Sequence, residues 1–324
     1  MNEVYRKLTE EIKKHNHIFL MAHKNIDLDG FGSIAALYKI IESFGKECYL
    51  FRDELEENMS ILKSYLNLEK DNIEFSYVAK DNYLQYIQND SLVIILDTHK
   101  KEMLECSDIL NYVKDVIVID HHIASKDVIA NTIFTSINAD LSSMNEFLTG
   151  YLRYLNKIVP PTLATIMLAG IEVDTNSFNT KTTVKTYEAA SFLAGLGADN
   201  VLKQELLQEK KQIYIQRQKL IFNSFTVGKN FEVCVLDDKI YERKDLAIIS
   251  EELLKFENIE ASFTIGKAGS NLIGISARSL GHIDVEKYMS MLGGGGHMTD
   301  AAVQFEGKTL KEVKELLLDV LERR

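Results

Sequence analysis

The sequence predicts an α/β protein, with a doubly wound, mostly parallel sheet domain joined by a helical connector to a smaller α/β domain. Three observations predict it. The runs Leu92-Val-Ile-Ile-Leu96 and Val116-Ile-Val-Ile119 are near-continuous aliphatics, the signature of strands covered on both faces. Stretches with helical spacing alternate with such runs, as in chained βαβ units. Beyond residue 230 the pattern changes to shorter strand-like pieces, and 324 residues fit two domains.

Residues 2–15 place Val4, Leu8 and Ile12 on one helical face with charges opposite. His17 to His23 reads as a short buried strand. The polar, glycine-containing segment from His23 to Ser33 reads as a loop, and helical spacing resumes from Ile34 to Phe44, stopped by Gly45. Tyr49 to Phe51 is a second strand. A helical stretch with Leu62, Tyr65 and Leu66 and a strand from Ile73 to Val78 follow. The two aliphatic strands then end on carboxylates, Asp97 and Asp120, followed by Thr98-His99 and His121-His122. Ser142-Ser-Met-Asn-Glu146 opens a helix with serine as cap. Pro160-Pro161 suits the first turn of the next helix, which runs through Leu163 to Ile171 and ends in Glu172-Val-Asp174. Ala189 to Leu196 is helical, and residues 200–222 read as a long charged helical connector. Strands at Phe231–Leu236, Ala261–Ile265 and Leu272–Arg278, with helices near 244–256, 284–291 and 309–322, make the second unit, which contains Gly293-Gly-Gly-Gly-His297. The boundaries read from this pattern are 1–198, a connector over 199–228, and 229–324.

Composition narrows the function. A formal charge of −11 argues against a nonspecific grip on long nucleic acid, though not against a small phosphate substrate. No apolar run approaches the roughly 20 residues of a membrane span, and no signal pattern opens the chain. The three cysteines, Cys48, Cys106 and Cys234, lack CxxC spacing and read as buried thiols of a cytoplasmic protein.

The chemistry concentrates in polar groups that end strands or helices: His23, Asp27, Asp29, Asp97, Asp120, His121, His122 and Asp174. Ligands bind at the carboxyl ends of strands in open α/β sheets. Five carboxylates and three imidazoles gathered there need a counter-charge, because crowded carboxylates would be forced to hold protons. Four aspartates (27, 29, 97 and 174) and His23 and His121 balance two divalent ions. Oxygen and imidazole donors suit Mn²⁺, with Mg²⁺, Fe²⁺ or Co²⁺ as alternatives, and the cysteine positions exclude thiolate-rich zinc. Two such ions roughly 4 Å apart, bridged by one carboxylate, form the clamp for in-line attack at phosphorus. A single Asp after a strand is more often a helix cap, and Asp27 or Asp29 admits that reading. His15, His17 and His282 read as surface or core residues, and His99 stays open. The glycine run admits a plain flexible loop or close backbone approach to phosphate, with His297 and Arg278 nearby in sequence.

His23-Lys-Asn-Ile-Asp-Leu-Asp29, Asp97-Thr-His, Asp120-His-His, Ser142-Ser-Met-Asn-Glu146, Gly170-Ile-Glu-Val-Asp-Thr175 and Gly293-Gly-Gly-Gly-His297 together resemble the DHH phosphoesterase family, a DHH domain followed by a DHH-associated domain. Ile259-Glu-Ala-Ser-Phe, Ile275-Ser-Ala-Arg-Ser-Leu-Gly281 and Leu292 to Ala302 look most similar to the catalytic module of GdpP-type cyclic-di-AMP phosphodiesterases. The resemblance implies a dinuclear manganese site with His23 and Asp27 on one ion, Asp29, His121 and Asp174 on the other, and Asp97 bridging. It implies that Asp120 supports the ligands and that His122 faces substrate, so that Asp97, Asp120 and His122 carry catalysis. Arg278, Gly294, Gly295, Gly296 and His297, with His122, would bind substrate. The implied reaction is Mn²⁺-dependent hydrolysis of cyclic-di-AMP to pApA, and possible further cleavage to AMP, in a homodimer. The alternative is a nanoRNase/pAp phosphatase acting on short oligonucleotides and 3′,5′-bisphosphonucleotides. GdpP-type proteins usually carry membrane and sensory segments ahead of this module; without them the chain is expected to be either a stand-alone soluble form, which Met1 favours mildly, or a fragment. Ile26 stands where the family often has proline, and Lys181 and Lys185 where it often has arginine.

Overall fold

In the computed structural model the described residues are 1–51 and 73–322, so the helix expected around Leu62, Tyr65 and Leu66 lies outside them. The chain forms two compact units, Met1–Gln208 and Glu209–Arg324.

The first unit is built on strands β1 (His17–Met21), β2 (Glu47–Phe51), β3 (Tyr77–Val78), β4 (Ser91–Leu96), β5 (Asp115–Asp120) and β6 (Phe134–Ile137). They lie in the order β3-β2-β1-β4-β5-β6, all parallel. The order reverses between β1 and β4. In a doubly wound sheet that reversal opens a crevice beyond the strand carboxyl ends. Side chains alternate across the sheet. Ile18, Leu20, Leu92, Ile94, Leu96, Ile117 and Ile119 enter one buried cluster, and Phe19, Met21, Val93, Ile95, Val116 and Val118 enter the cluster on the opposite face. That two-sided burial is why these strands read as continuous aliphatic runs. The first cluster is covered by α1 (Asn2–Lys14), α2 (Leu28–Glu42), α3 (Met144–Leu155), α4 (Pro161–Asp174) and α5 (Val184–Gly195).

Four local outcomes in this unit and its connector differ from the sequence reading. Helix α2 starts at Leu28, not at Ile34, because Asp27 caps it: its Oδ1 accepts from the backbone N–H of Asp29 (3.0 Å) and Gly30 (2.9 Å). The expected strand at Ile73–Val78 shrinks to Tyr77–Val78, and β6 had no clear sequence signal because it is a short edge strand with mixed exposure. The long helix expected over 200–222 is two helices, α6 (Asn200–Leu206) and α7 (Lys211–Ile221). Asp199 caps α6, and Lys203 pairs with Glu172 at 2.5 Å, tying α6 to α4. Helix α7 instead pairs Arg217 with Glu252 at 2.7 Å in the second unit.

The second unit carries β7 (Phe225–Val227), β8 (Phe231–Ile240), β9 (Ala261–Gly269), β10 (Leu272–Ser279), β11 (Gly295–Gly296) and β12 (Asp300–Glu306), ordered β11-β12-β10-β9-β8-β7. Only β8 and β9 pair in parallel. Helices α9 (Val285–Met291) and α10 (Leu310–Glu322) pack Val285, Met289, Val313 and Leu317 on one face with Ile273, Ile275 and Val303. Helix α8 (Arg243–Leu253) buries Leu246, Ile249 and Leu253 against Cys234 and Leu236. All three cysteines are free and buried.

Candidate metal centre

Each polar group reaches the first unit's strand ends for a local reason. His23 and Asp27 follow β1, and Asp97 follows β4, so they flank the point where strand order reverses. His121 follows β5 directly, and Asp174 is the last residue of α4. Asp97 sits at φ +64, in the left-handed region that aspartate tolerates better than most residues. The chain turns sharply there as soon as the strand ends, and the carboxylate is left at the strand tip.

Asp97 is the centre of the arrangement. Its Oδ2 lies 3.5 Å from His23 Nε2, which is itself 3.7 Å from Asp27 Oδ2. Its Oδ1 lies 3.1 Å from His121 Nε2, which is 3.2 Å from Asp174 Oδ2 and 3.9 Å from Asp29 Oδ2. One carboxylate therefore shows one oxygen to each of two donor groups, His23–Asp27 and Asp29–His121–Asp174. Asp27 Oδ1 caps α2 while Oδ2 faces His23, so the cap leaves the second oxygen turned toward the imidazole.

Asp29 is fully buried. It is held by the start of α3: Met144 N–H donates to Oδ2 at 2.7 Å, while Asn145 N–H (2.9 Å) and Nδ2 (2.8 Å) donate to Oδ1. Two free N–H groups at a helix N-terminus are natural carboxylate donors. Ser143 caps that helix by accepting from Glu146 N–H at 3.1 Å. Glu146 Oε2 in turn accepts from Ser142 Oγ (2.6 Å) and from Thr186 Oγ1 (2.7 Å) on α5. Asn145 was missed as a site-building residue. Its signal is present in the Ser142-Ser-Met-Asn-Glu146 stretch, read as a helix start and as one motif of the family resemblance, but with no role given to Asn145.

Asp120 does not share the central position of Asp97. Its Oδ1 accepts from His122 Nδ1–H (2.8 Å) and backbone N–H (3.0 Å), and Oδ2 accepts from His99 Nδ1–H at 2.5 Å. Ser125 N–H donates to His99 Nε2 at 3.1 Å, which fixes the proton of His99 on Nδ1. His99, left open by the sequence, is thus a buried prop of Asp120. His122 is about half exposed and turns Nε2 away from Asp120.

The electrostatics register crowding. Burial, joined by Asp97, pushes Asp29 up to about 7. Burial, joined by Asp29, Asp97 and Asp27, pushes Asp174 up to about 10. Burial works against the imidazolium of His23, yet hydrogen bonds to Asp27 and Asp97 outweigh it and lift it to about 11. His121 is raised against the same opposition, by Asp97 and Asp29. Burial also opposes ionisation of Asp27 and Asp120, but His23 in one case and His122 in the other hold them below the usual carboxylate range. Asp97 Oδ1 and both ring nitrogens of His121 are buried without a hydrogen-bond partner. Buried polar atoms are rarely left so. Carboxylate oxygens and imidazole nitrogens converging around them fit hard or borderline divalent cations.

In the second unit, Arg278 is held by Glu251 (Nε to Oε1, 3.3 Å) and by Ser276 Oγ (3.3 Å). With Gly294, Gly295, Gly296 and His297 it lines a cavity of about 740 Å³. The glycine run is not simply a mobile loop. A Cβ on Gly294 would meet Ala302 O at 2.3 Å, and one on Gly296 would meet Ala301 Cα at 2.4 Å, so both are needed for β11 to lie on β12. The expected glycine approach to phosphate is available to Gly293 and Gly295, where a Cβ would meet nothing within 4 Å.

Comparison with known proteins covers most of the chain. Residues 17–171 match the DHH family, N-terminal domain, and residues 228–324 match the DHHA1 domain. The chain is 33% identical over 318 residues to the cyclic-di-AMP phosphodiesterase GdpP of Geobacillus thermodenitrificans, covering 97% of this chain and 48% of the relative. It is 24% identical over 331 residues to the bifunctional oligoribonuclease and PAP phosphatase NrnA of Mycoplasma pneumoniae, covering 98% and 96%. It spans less than half the length of the most similar curated relatives. The crystal structure of an exopolyphosphatase-related protein from Bacteroides fragilis shares the fold, with a TM-score of 0.74 at 19% identity over 98% of this chain and 96% of that one. No helix among the described residues is long and apolar enough to cross a membrane.

Proposed function

The chain belongs to the DHH/DHHA1 family of phosphoesterases, and from that premise we propose that it is a Mn²⁺-dependent phosphodiesterase that opens cyclic-di-AMP to pApA and cleaves pApA on to AMP. The observation that carries the phosphodiester reading is the division of Asp97 between two donor groups. His23 and Asp27 would hold one cation, Asp29, His121 and Asp174 a second, and Asp97 would reach both. The bound pair supplies charge neutralisation at the phosphoryl oxygens and a nucleophilic water at neutral pH.

The residues themselves do the positioning. Helix α3 and Asn145 fix the Asp29 carboxylate by direct hydrogen bonds, so a rigid donor would face the cation. Asp120 orients His122 through Nδ1–H, so that Nε2 is turned away from Asp120 and, in the imidazolium form, would donate to a phosphate or leaving oxygen. Arg278 and His297 would grip phosphate in the second unit. The cyclic-dinucleotide preference is supported by 33% identity to GdpP over nearly the whole chain. Kinetics with cyclic-di-AMP and pApA, each with Mn²⁺ and with chelator, test it. Turnover of pApA alone refutes the cyclic step.

A second reading, nanoRNase/pAp phosphatase, is favoured by the end-to-end match to NrnA. Faster turnover of a 3′,5′-bisphosphonucleotide or nanoRNA than of cyclic-di-AMP selects it. A homodimer in the cytoplasm belongs to the same proposal, and light scattering against a chain mass of 36.9 kDa checks the assembly.

A further inference from the structure

We propose that His99 is a positioning residue for the departure of the leaving group: gripped from behind by the loop at Ser125, it sets the Asp120 carboxylate so that His122 aims Nε2 at the departing sugar oxygen. The inference rests on the phosphodiesterase reading above and deepens it, because it assigns part of the rate to side chains outside the two donor groups.

The chain of contacts starts in the core. Strands β4 and β5 are paired neighbours, with Leu96 opposite Ile119, so Asp97-Thr-His99 and Asp120 leave the sheet side by side. His99 is 2% exposed, and its carbonyl and both ring nitrogens are engaged. The carbonyl accepts from Ile129 N–H at 2.9 Å, and Ile129 is buried in the apolar cluster on the second sheet face. Nε2 accepts from Ser125 N–H at 3.1 Å and Ser125 Oγ–H at 2.9 Å. A backbone N–H can only donate, so the ring proton stays on Nδ1 and is given to Asp120 Oδ2. One short stretch, Ser125 to Ile129, therefore grips His99 at both its ring and its main chain.

Asp120 passes that grip on. It is 1% exposed, and its two oxygens are divided between the histidines, Oδ2 to His99 and Oδ1 to His122. A carboxylate is planar, so a bond that fixes Oδ2 fixes Oδ1 as well. Without the Nδ1–H of His99, a buried charged oxygen would lose its donor, and the group would turn to find another. His122 is about half exposed, so packing holds it only in part. Asp97 Oδ1 lies 3.7 Å from its Nδ1, beyond hydrogen-bond reach, whereas Asp120 Oδ1 lies at 2.8 Å. The bond to Asp120 thus decides the aim of the ring. In the step concerned, water adds to phosphorus and the bond from phosphorus to the sugar oxygen breaks. That oxygen takes the Nε2 proton, the proton lost by the water goes to solvent, and His122 recovers a proton from solvent. A sugar alkoxide needs this proton, whereas a nitrophenolate departs as a stable anion.

The test compares the full-length wild-type chain with His99→Asn and His99→Gln. Asparagine keeps an N–H where Nδ1–H stood, and so keeps the donor to Asp120. Glutamine places its amide where Nε2 stood, and so keeps Ser125 but loses that donor. Turnover with Mn²⁺ is measured on a linear adenine dinucleotide and on the p-nitrophenyl ester of AMP. Bound Mn²⁺ is counted, and ¹⁵N spectra of the histidine rings are recorded on metal-free protein. His99→Gln should lower kcat on the dinucleotide about 10–100-fold, and less than about threefold on the nitrophenyl ester, at unchanged KM. It should keep its Mn²⁺ and lose the Nδ1–H signal of His122. His99→Asn should stay within about threefold of wild type on both esters and keep that signal. Ser125→Ala, at a half-buried loop position, removes only the Oγ–H bond and should slow the dinucleotide alone by about threefold, which provides the test if His99→Gln does not fold. Equal losses on both esters, loss of Mn²⁺, no loss at all, or a His99→Asn variant as slow as His99→Gln overturns the positioning role. If wild type hydrolyses neither ester, the phosphodiesterase reading fails and the spectra decide the positioning role. A His122 signal lost in His99→Gln and kept in His99→Asn supports it, and one unchanged in His99→Gln overturns it.

Discussion

Gly170→Ala is the most searching test of how the site is built. Gly170 lies inside α4, where alanine would normally stabilise a helix by about 1 kcal/mol. Here the new Cβ would lie 2.3 Å from Asn145 Nδ2, 2.8 Å from Leu28 O and 2.9 Å from Asp29 Cα. Two of those three neighbours are backbone at the start of α2 and cannot rotate away. Asn145 must move, which breaks its charge-assisted bond to Asp29 Oδ1, worth about 1.5–3 kcal/mol. Overpacking between α2 and α4 adds about 1–3 kcal/mol. After the propensity gain the net loss is about 1.5–5 kcal/mol, or roughly 3–20 °C in Tm for a unit of this size. Metal affinity should fall as well, because Asp29 loses its anchor. Differential scanning calorimetry and Mn²⁺ titration, run beside Gly195→Ala, provide the assay. A Cβ on Gly195 meets nothing within 4 Å, so that control should be neutral or slightly stabilised. If Gly170→Ala melts at or above wild type with unchanged Mn²⁺ affinity, the tight helix contact does not set the position of Asp29.

Asp97→Ala should lose activity and metal together, since both donor groups converge on this carboxylate; metal content after dialysis and turnover check it, and full activity contradicts the bridging role. Arg278→Ala should mainly raise KM, because a phosphate grip serves ground state and transition state alike, and a fallen kcat at unchanged KM argues otherwise. The metal-free protein should lose stability as pH rises from about 7 to 9. Over that window native Asp174 and His23, pushed to about 10 and 11, keep protons that the unfolded chain, with ordinary values of 3.8 and 6.5, has released, while Asp29, pushed to about 7, gives up its proton at the low end. Saturating Mn²⁺ should flatten the slope by stabilising the deprotonated ligands. Melts at stepped pH with and without chelator measure this, and a metal-free Tm that climbs with pH refutes the crowding of these groups.

The legible parts of the sequence were those in which one local pattern has one physical cause. Val116–Ile119 reads as a strand because both its faces are buried, and Asp97 and Asp120 stand out because they end such runs. The parallel sheet follows from that alternation. What the sequence hid depends on contacts distant along the chain. Asn145 reaches Asp29 across 116 residues, and His99 props Asp120 across 21. Neither pairing has a spacing to read. The start of α2 was obscured because Asp27 is both cap and candidate ligand, and a polar loop pattern ran on into the helix. The edge strands β6 and β7 are short and carry mixed exposure, so alternation is weak there.

The double duty of Asp27 bears on how this site would decay if selection on it were relaxed. His23 has little to do besides face Asp27 and Asp97; its Nδ1 donates to the neighbouring Lys24 O at 2.8 Å. Asp27 also starts a fifteen-residue helix. In a lineage that no longer needs the cation, position 23 is therefore free to drift early, while position 27 is retained as Asp, Asn, Ser or Thr by folding alone. An aspartate surviving at position 27 would accordingly be poor testimony that a descendant is still an enzyme, whereas the residue at position 23 would be a sensitive witness.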